Sequence, residues 1–331
     1  MAPMASRAEE LVRAFPAGRV IVVGDVMIDE YLSGETDRVS PEAPVPVVNL
    51  RRRSYAVGGA ANAAANVAAL GGKVSLAGVV GEDQHAETLR GLLSERMVDH
   101  RLLGVGDRPT TTKTRVLANG QQVARVDTES ASAIPAEAEQ ELIEWASEKL
   151  DSAGAVLLSD YEKGSLTDRV AQGVIAAAAQ RATPVVADPK WHFSKFRGST
   201  VLTPNVAETL AALGRRDGSA IDPTEMSSLF DTVAASSILV TRGSDGMSLF
   251  RAGGDVLHIR TAARHVYDVT GAGDTVAATL ALGIATDLDL AEAARAANAA
   301  AGVVIGKVGT ATVDPGEFVA ALGAPHHAAT T

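Results

Sequence analysis

Short, mostly apolar runs rich in β-branched residues alternate along the chain with longer alanine-rich stretches. The runs occupy 20–23, 74–77, 156–158, 185–187 and 238–240. Runs of this length and composition are typical of strands buried on both faces, and the alanine-rich stretches, such as 60–69 and 291–301, favour helices. The alternation therefore predicts a doubly wound α/β fold, in which a mainly parallel sheet carries helices on both faces.

Two parts of the chain instead alternate polar with apolar residues. They are 44–50 and the pair 111–117 and 121–126, and Asn119-Gly120 between the latter two predicts a two-residue hairpin. We expect a small β-rich lid with segments near 36–50 and 108–128. Such a lid could close over a reaction site and exclude water. A hairpin without that role, or a homodimer contact through the lid, explains the same pattern.

Composition narrows the range of functions. The formal net charge of the 331 residues is −10 and basic residues form only short clusters, so we expect no nucleic-acid partner. The absence of cysteine excludes disulfides, thiolate metal sites and cysteine nucleophiles. No apolar run reaches the length of a membrane span, and the N-terminal segment is interrupted by charges, so we expect a cytoplasmic protein.

The segment 268–275 contains the strongest candidate for chemistry. It precedes an apolar stretch that predicts a long helix, and Gly271, Ala272 and Gly273 would leave backbone N–H groups open to an anion at the start of that helix. Asp274, about one turn along, could take a proton from a hydroxyl group. The glycines could equally serve a tight turn, with Asp274 complementing the helix dipole.

A second group of residues suits a ligand rich in hydroxyl groups. Gly58 and Gly59 precede a predicted helix and allow a close backbone approach, and Asn62 offers both a donor and an acceptor. Asp25 and Asp29 follow the first predicted strand, where ligands of open α/β sheets bind. Helix packing through small residues and solvated loop acids are the alternatives.

The segment 203–208 predicts a helix start, with Thr203 as the cap and Pro204 at the first helical position. The spacing would then place Asn205 and Glu208 on one face, which suits Mg²⁺ held largely through waters and phosphates. Capping alone explains Glu208 almost as well. The loop 241–246 follows a strand and is a weak candidate for nucleotide contact, and the sequence has neither a Walker A loop nor a Rossmann glycine fingerprint.

These motifs together resemble the ribokinase (PfkB) family of sugar kinases, in the same order and over nearly the whole chain. The segment 57–71 is similar to the N-terminal signature of that family, and 268–275 is similar to its C-terminal signature. A closer resemblance, to the D-glycero-β-D-manno-heptose-7-phosphate kinases, is carried by 23–29, 39–48, 121–125, 159–164, 188–190, 202–205 and 297–304.

The resemblance implies a role for each matched residue. Asp274 would be the catalytic base, and Gly271, Ala272 and Gly273 would form the anion hole. Nucleotide contacts would come from Asn205, Val206, Ala207, Glu208, Thr241, Gly243 and Asn298, with Asn205 and Glu208 also at the metal. The sugar would be held by Asp29, Gly58, Gly59 and Asn62, and its own phosphate by Arg125, Lys163 and Lys190.

The activity implied is ATP- and Mg²⁺-dependent phosphorylation of the anomeric hydroxyl of a heptose 7-phosphate. A ribokinase-like kinase for another sugar or sugar phosphate is the first alternative, and a non-catalytic sugar or nucleotide sensor is the second. Bifunctional relatives carry a nucleotidyltransferase domain after the kinase, whereas this sequence ends at Thr331, so we expect a single kinase domain over 1–331 without that second domain.

Overall fold

The first strand, Arg19–Gly24, packs into two hydrophobic cores at once. Val20 and Val22 belong to one core, and Ile21 and Val23 belong to the other. Successive side chains of a strand point to opposite faces of a sheet, so a strand covered on both faces must be apolar on both.

This computed structural model describes residues 2–216, 218, 220–261 and 267–323, with side chains from Arg7 onward, and it confirms the predicted α/β class.

Thirteen strands occur in the described residues. They are β1 Arg19–Gly24, β2 Val26–Glu35, β3 Asn49–Gly59, β4 Lys73–Val80, β5 Asp99–Gly104, β6 Thr112–Ala118, β7 Gln121–Thr128, β8 Ala155–Ser159, β9 Val185–Asp188, β10 Val201–Leu202, β11 Ser237–Thr241, β12 Met247–Arg251 and β13 Val256–Ile259. Nine of them form the large sheet in the order β13-β12-β11-β10-β9-β8-β1-β4-β5. All neighbours in it are parallel except β11–β12 and β12–β13, and each of the five apolar runs predicted as buried strands lies in this sheet.

Ten α-helices occur in the same residues. They are α1 Ala2–Ala14, α2 Ala60–Ala69, α3 Gln84–Glu95, α4 Ala136–Lys149, α5 Asp168–Ala179, α6 Val206–Ala212, α7 Met226–Val233, α8 Ala272–Ala285, α9 Leu290–Val304 and α10 Pro315–Leu322. Residues of α2, α8 and α9 pack in one core, and residues of α4, α5 and α7 pack in the other, so helices cover both faces of the sheet. None of the described helices has the length and apolarity that crossing a membrane requires.

The remaining four strands form a second, small sheet in the order β3-β2-β6-β7. The predicted hairpin is confirmed: β6 and β7 are antiparallel, and Asn119 and Gly120 between them have φ of 51° and 83°. The prediction of a strand over 44–50 is wrong in its bounds, because β3 begins only at Asn49. Pro44 and Pro46 have no N–H group to donate to a strand ladder, and this part of the chain makes only an isolated bridge between Val39 and Pro46.

Candidate active site

The N-terminus of α8 opens at the carboxyl edge of the large sheet. Gly271, its N-cap, has φ of 78°, and a Cβ atom there would lie 2.7 Å from Nδ2 of Asn62, so only glycine fits. The backbone N–H groups of Gly273 and Asp274 make no hydrogen bond to any residue that the structure describes, whereas the N–H of Ala272 donates to the carbonyl of Val269. Gly273 is exposed, with nothing within 4 Å of a Cβ placed on it.

The carboxylate of Asp274, in the first turn of α8, is 2% exposed. Nδ2 of Asn62 donates to its Oδ2 at 2.8 Å, and the hydroxyl of Tyr161 donates to its Oδ1 at 2.6 Å. Burial raises the pKa of Asp274 to about 6, although both hydrogen bonds and the positive charge of Lys190 act in the opposite direction. A buried carboxylate with a pKa in this range is ionised at neutral pH and can still accept a proton.

A chain of buried polar groups on α2 and α8 supports Asn62. Nδ2 of Asn66 donates to the backbone carbonyl of Asn62 at 3.0 Å and to its Oδ1 at 3.4 Å, and the hydroxyl of Thr275 donates to Oδ1 of Asn66 at 3.1 Å. Because buried polar groups are costly unless they are paired, this chain fixes the orientation of Asn62 toward Asp274. Asn62, predicted as a sugar contact, therefore lies beside the predicted base.

Tyr161 reaches Asp274 from the loop after β8, and Asp25 holds that loop. The carboxylate of Asp25 accepts the backbone N–H groups of Tyr161, Lys163 and Ser165 at 2.8, 2.9 and 3.0 Å. Asp25 is 1% exposed, and its two oxygens are used in this way. The expectation that Asp25 binds hydroxyl groups of a ligand is therefore not supported. The sequence did not indicate that the loop after β8 folds over this carboxylate.

Asp29 lies in β2 on the face of the small sheet that also carries Arg115. The two side chains form an ion pair, and the guanidinium of Arg115 lies 5.5 Å from the ring centroid of Tyr31. Burial raises the pKa of Asp29, and Arg115 offsets part of that effect. A Cβ atom on Gly58 would lie 2.8 Å from Oδ2 of Asp29, and Gly59 is the N-cap of α2, so both predicted glycines adjoin the predicted sugar contact.

Four basic residues surround this face of the small sheet. By strand register, Lys113 lies opposite Asp29 on β2, and Arg115 lies opposite Arg125 on β7. The acid and these three basic side chains therefore share one face of the small sheet. Lys163 joins them from the loop after β8, because its Nζ lies 2.8 Å from Glu129 and that carboxylate also lies 3.5 Å from Lys113. Lys113 and Arg125 both pair with Asp127, at 3.2 and 2.9 Å. Two predicted phosphate contacts, Arg125 and Lys163, thus belong to one network.

Lys190, the third predicted phosphate contact, lies elsewhere. Its Nζ donates to Oε1 of Glu208 at 2.9 Å and lies 4.9 Å from the ring centroid of Tyr161. Burial disfavours its charge, but Asp188 and Glu208 outweigh burial and raise its pKa. Burial, together with the charges of Glu208 and Asp274, raises the pKa of Asp188 to about 7, although Lys190 acts in the opposite direction. Lys190 therefore adjoins acids on the nucleotide side of the predicted site.

The predicted helix start at Thr203 is wrong by two residues. Asn205 is the N-cap of α6, where its Oδ1 accepts the N–H of Glu208 and Oε2 of Glu208 accepts the N–H of Asn205, at 2.9 and 2.7 Å. The chain stays extended through Asn205 because this residue bridges to Thr241, and the hydroxyl of Thr203 donates to Asp188 instead. Val206 and Ala207 follow as the first two residues of α6.

The other predicted nucleotide contacts lie at the ends of neighbouring strands. Thr241 ends β11 and donates its N–H to the carbonyl of Pro204, and Gly243 begins the 3₁₀ turn Gly243–Asp245. Gly243 is exposed, with nothing within 4 Å of a Cβ placed on it. Asn298, on α9, is buried and donates its Nδ2 to the carbonyl of Arg260, just after β13. The structure thus joins Thr241 to Asn205 directly and places Asn298 on the helix that packs against α8.

Sequence reasoning gave no individual role to Tyr161, Asp188, Lys113 or Arg115. Lys113 and Arg115 carried a usable signal, since residues two apart on a predicted strand share a face. Asp188 did too, because it follows an apolar run that predicts a parallel strand, where ligands of such sheets bind. Tyr161 carried none, because its position depends on Asp25, 136 residues away in the chain.

The sequence matches one family of known proteins over most of its length. The profile of the pfkB family carbohydrate kinases matches residues 17–316. Bifunctional protein HldE of Trichlorobacter lovleyi is 46% identical over 312 residues, which cover 93% of this chain and 63% of that protein. The chain thus spans less than two thirds of the length of this curated relative.

Solved structures agree with the fold. Arabidopsis thaliana ribokinase, complexed with ribose and ATP, superposes with a TM-score of 0.72 at 22% identity, covering 93% of this chain and 99% of that one. Phosphofructokinase-2 of Escherichia coli, in complex with potassium, gives 0.75 at 18% identity, covering 93% and 99%. At these identities the likeness shows a ribokinase-like fold.

Proposed function

This chain belongs to the pfkB family of carbohydrate kinases, which use ATP with Mg²⁺, and from that premise we propose its acceptor. The acceptor is D-glycero-β-D-manno-heptose 7-phosphate, and the product is the 1,7-bisphosphate. Asp274 takes the proton of the anomeric hydroxyl, the hydroxyl oxygen forms a bond to the γ-phosphorus, and the bond from that phosphorus to the β,γ-bridging oxygen breaks to release ADP.

The observation that carries this proposal is the environment of Asp274. A buried carboxylate with a pKa of about 6 stands in the first turn of a helix in which the N–H groups of Gly273 and Asp274 have no acceptor among the described residues. Together they offer a proton acceptor beside a site for negative charge. A carboxylate that only complemented the helix dipole would gain nothing from burial, because burial disfavours its charge.

The anion hole is formed by the N–H groups of Gly273 and Asp274. Gly271 contributes the left-handed turn that aims them, and Ala272, whose N–H is bonded to Val269, contributes its small size. Fixed dipoles of this kind stabilise charge that develops in a transition state, because they need no reorganisation during the reaction.

The acids around Lys190 fit a hydrated magnesium ion. The described residues contain no cluster of three or more carboxylate or histidine groups that could bind a metal unaided, and Mg²⁺ at phosphate sites normally keeps waters and phosphate oxygens as ligands. Burial, together with the nearby charge of Glu208, raises the pKa of Asp188 to about 7, so its carboxylate form would be stabilised by an added cation. We assign Glu208 and Asn205 to the Mg²⁺–ATP segment, with Asp188 beside them. Bound Mg²⁺ would neutralise phosphate oxygens.

The nucleotide contacts extend from this segment along the ends of the strands. Val206 and Ala207 begin α6, Thr241 at the end of β11 bridges to Asn205, Gly243 follows in the next turn, and Asn298 would contribute from α9. Lys190 is better placed for the transferred phosphoryl group than for the distal phosphate of the sugar, since Glu208 is its ion-pair partner.

The sugar lies between α2 and the small sheet, which acts as a lid. Asp29 and Asn62 bind its hydroxyl groups, and Gly58 and Gly59 allow its close approach. The distal phosphate interacts with Arg125 and Lys163, and we add Arg115 and Lys113 to this proposal because they lie in the same network. Arg115 and Arg125 stand directly opposite on adjacent strands, where Asp29 and Asp127 pair with them and a phosphate could interact with both guanidinium groups.

We also infer that the two sheets belong to one kinase domain, because Asp25 alone separates β1 of the large sheet from β2 of the small sheet. The exposed lid strand β7 is a candidate homodimer contact.

The deciding experiment measures ADP release with ATP and Mg²⁺ over a panel of sugars. Heptose 7-phosphate should give the highest kcat/KM, free heptose a much lower one, and fructose 6-phosphate and ribose should be poor. Faster turnover of ribose would favour the ribokinase-like alternative, and no turnover with any sugar would favour a sensor.

A further inference from the structure

Tyr161 has no part in the chemistry so far, yet it is one of two side chains that hold Asp274. Its hydroxyl donates to Oδ1 of Asp274 at 2.6 Å, while Asn62 occupies Oδ2 at 2.8 Å. One donor on each oxygen fixes the plane of the carboxylate, and a second lone pair of each oxygen is left for a substrate hydroxyl. The carboxylate is therefore aimed before substrate binds.

The ring of Tyr161 is itself held from two directions. Asp25 fixes its backbone through the N–H groups of residues 161, 163 and 165, and Lys190 lies 4.9 Å from its ring centroid on the nucleotide side. A cation at this distance from an aromatic face is attracted to it. Tyr161 thus stands between the predicted base and the lysine that pairs with Glu208.

We propose that Tyr161 is a positioning residue of the kinase reaction, which holds Asp274 ionised and aimed at the acceptor hydroxyl. This inference rests on the proposed role of Asp274 as base. A tyrosine that only filled space would need the ring but not the hydroxyl, and the short hydrogen bond to the carboxylate distinguishes the two roles.

The charges around Asp274 determine how the contact should be tested. The groups that interact with it are Tyr161 after β8, Lys190 and Asp188 at the end of β9, and Asp29 on β2, while Glu208 on α6 interacts through Tyr161 and Lys190. Among these titratable groups only Tyr161 donates a hydrogen bond to Asp274, and Asn62, the other donor, carries no charge. Removing its hydroxyl leaves every other charge in place, so a change in titration can be assigned to that hydrogen bond.

The test is Tyr161→Phe, which keeps the ring and its contact with Lys190. A hydrogen bond to the ionised form lowers the pKa of a carboxyl group, so its loss should move the acid limb of kcat upward by about one pH unit. A shift of one pH unit lowers kcat about fivefold at the midpoint of the wild-type limb and little at two or more pH units above that midpoint. Tyr55→Phe is the matched control, since Tyr55 packs edge-on against His85, away from Asp274.

A second readout needs no turnover. The ¹³C carboxyl resonance of Asp274, assigned by its disappearance in Asp274→Asn, is titrated in the wild type and in Tyr161→Phe. The proposal requires both an upward shift of that titration and the pH-dependent loss of kcat. The proposal is overturned if the titration is unchanged, or if kcat falls by the same factor at every pH. An active Asp274→Asn would overturn the assigned base instead, and the titration would still report the contact.

Discussion

The ammonium nitrogen of Lys190 lies 2.9 Å from Oε1 of Glu208, across the gap between the end of β9 and the start of α6. Both groups are charged and mostly buried, and Asp188 adds a second acid to the pair. A buried pair with excess negative charge is poised to accept a further cation. This arrangement leads to the first prediction, on the role of Glu208.

Glu208→Gln should raise the Mg²⁺ concentration needed for half-maximal activity by a factor on the order of ten, since a bond to a charged group contributes about 1.5–3 kcal/mol. Glutamine can still complete the capping box with Asn205, so α6 should remain intact. The measurement is ADP release over an Mg²⁺ titration.

The chain offers a close control for this change. Glu317 completes the capping box of α10 and pairs with Lys307 at 2.6 Å, as Glu208 does with Lys190, but neither residue belongs to the proposed Mg²⁺–ATP segment. Glu317→Gln should leave the Mg²⁺ requirement unchanged. If Glu208→Gln altered the sugar requirement and not the Mg²⁺ requirement, Glu208 would belong to the sugar pocket.

Asp274→Asn should lower kcat by roughly 10²–10⁴-fold, because asparagine cannot accept the proton of the acceptor hydroxyl. The Kd for ATP, measured by calorimetry, should stay within a few-fold of the wild type. Asp168→Asn, which removes the first-turn acid of α5, controls for the loss of helix-dipole interaction alone. Near wild-type turnover in Asp274→Asn would remove Asp274 from the mechanism.

A structural feature could be predicted from the sequence when residues close together in the chain determine it. The Asn119-Gly120 hairpin was predictable because both turn residues need positive φ, and the parallel strands were predictable because apolar runs are required by burial on both faces. Strand β2 was not predicted, and β3 was predicted only at its first two residues, because the bounds of both strands depend on long-range pairing in the small sheet. The cap of α6 was mistaken because Asn205 is held extended by Thr241, 36 residues later in the chain.

Asp188→Asn should flatten the dependence of stability on pH. The pKa of Asp188 rises from 3.8 to about 7 on folding, so the folded state binds more protons than the unfolded state between these values. Stability from this group is therefore complete below about pH 4 and is lost as pH rises through about 7, by a few kcal/mol at most at 1.36 kcal/mol per pKa unit.

Thermal denaturation between pH 5 and 8 measures this slope. Asparagine can still accept the hydroxyl of Thr203, so packing is preserved and only the charge is removed. We expect the Tm of the variant to fall less than that of the wild type over this range. The exposed Asp151→Asn should follow the wild type. Parallel curves for Asp188→Asn and the wild type would mean that Asp188 is not protonated in the folded protein at pH 5.

Lys163→Ala should narrow the difference in kcat/KM between heptose 7-phosphate and free heptose. Lys163 lies in the basic network of the lid face, and charge-assisted bonds to phosphate are about twice as strong as neutral ones. Binding energy from a phosphate remote from the reacting hydroxyl can also be used to orient that hydroxyl, so kcat should fall together with kcat/KM on the phosphorylated sugar.

The control for this change is Lys149→Ala, because Lys149 makes a similar ion pair with Asp99, at 2.9 Å, on another part of the surface. It should leave both sugars unaffected. Glu129→Gln is the complementary variant: it removes the carboxylate partner of Lys163 and leaves Lys113 paired with Asp127, so Lys163 becomes more available to an anion and the KM for heptose 7-phosphate should fall. An equal loss on both sugars in Lys163→Ala would mean that this lysine supports the loop of Tyr161 and does not contact the phosphate.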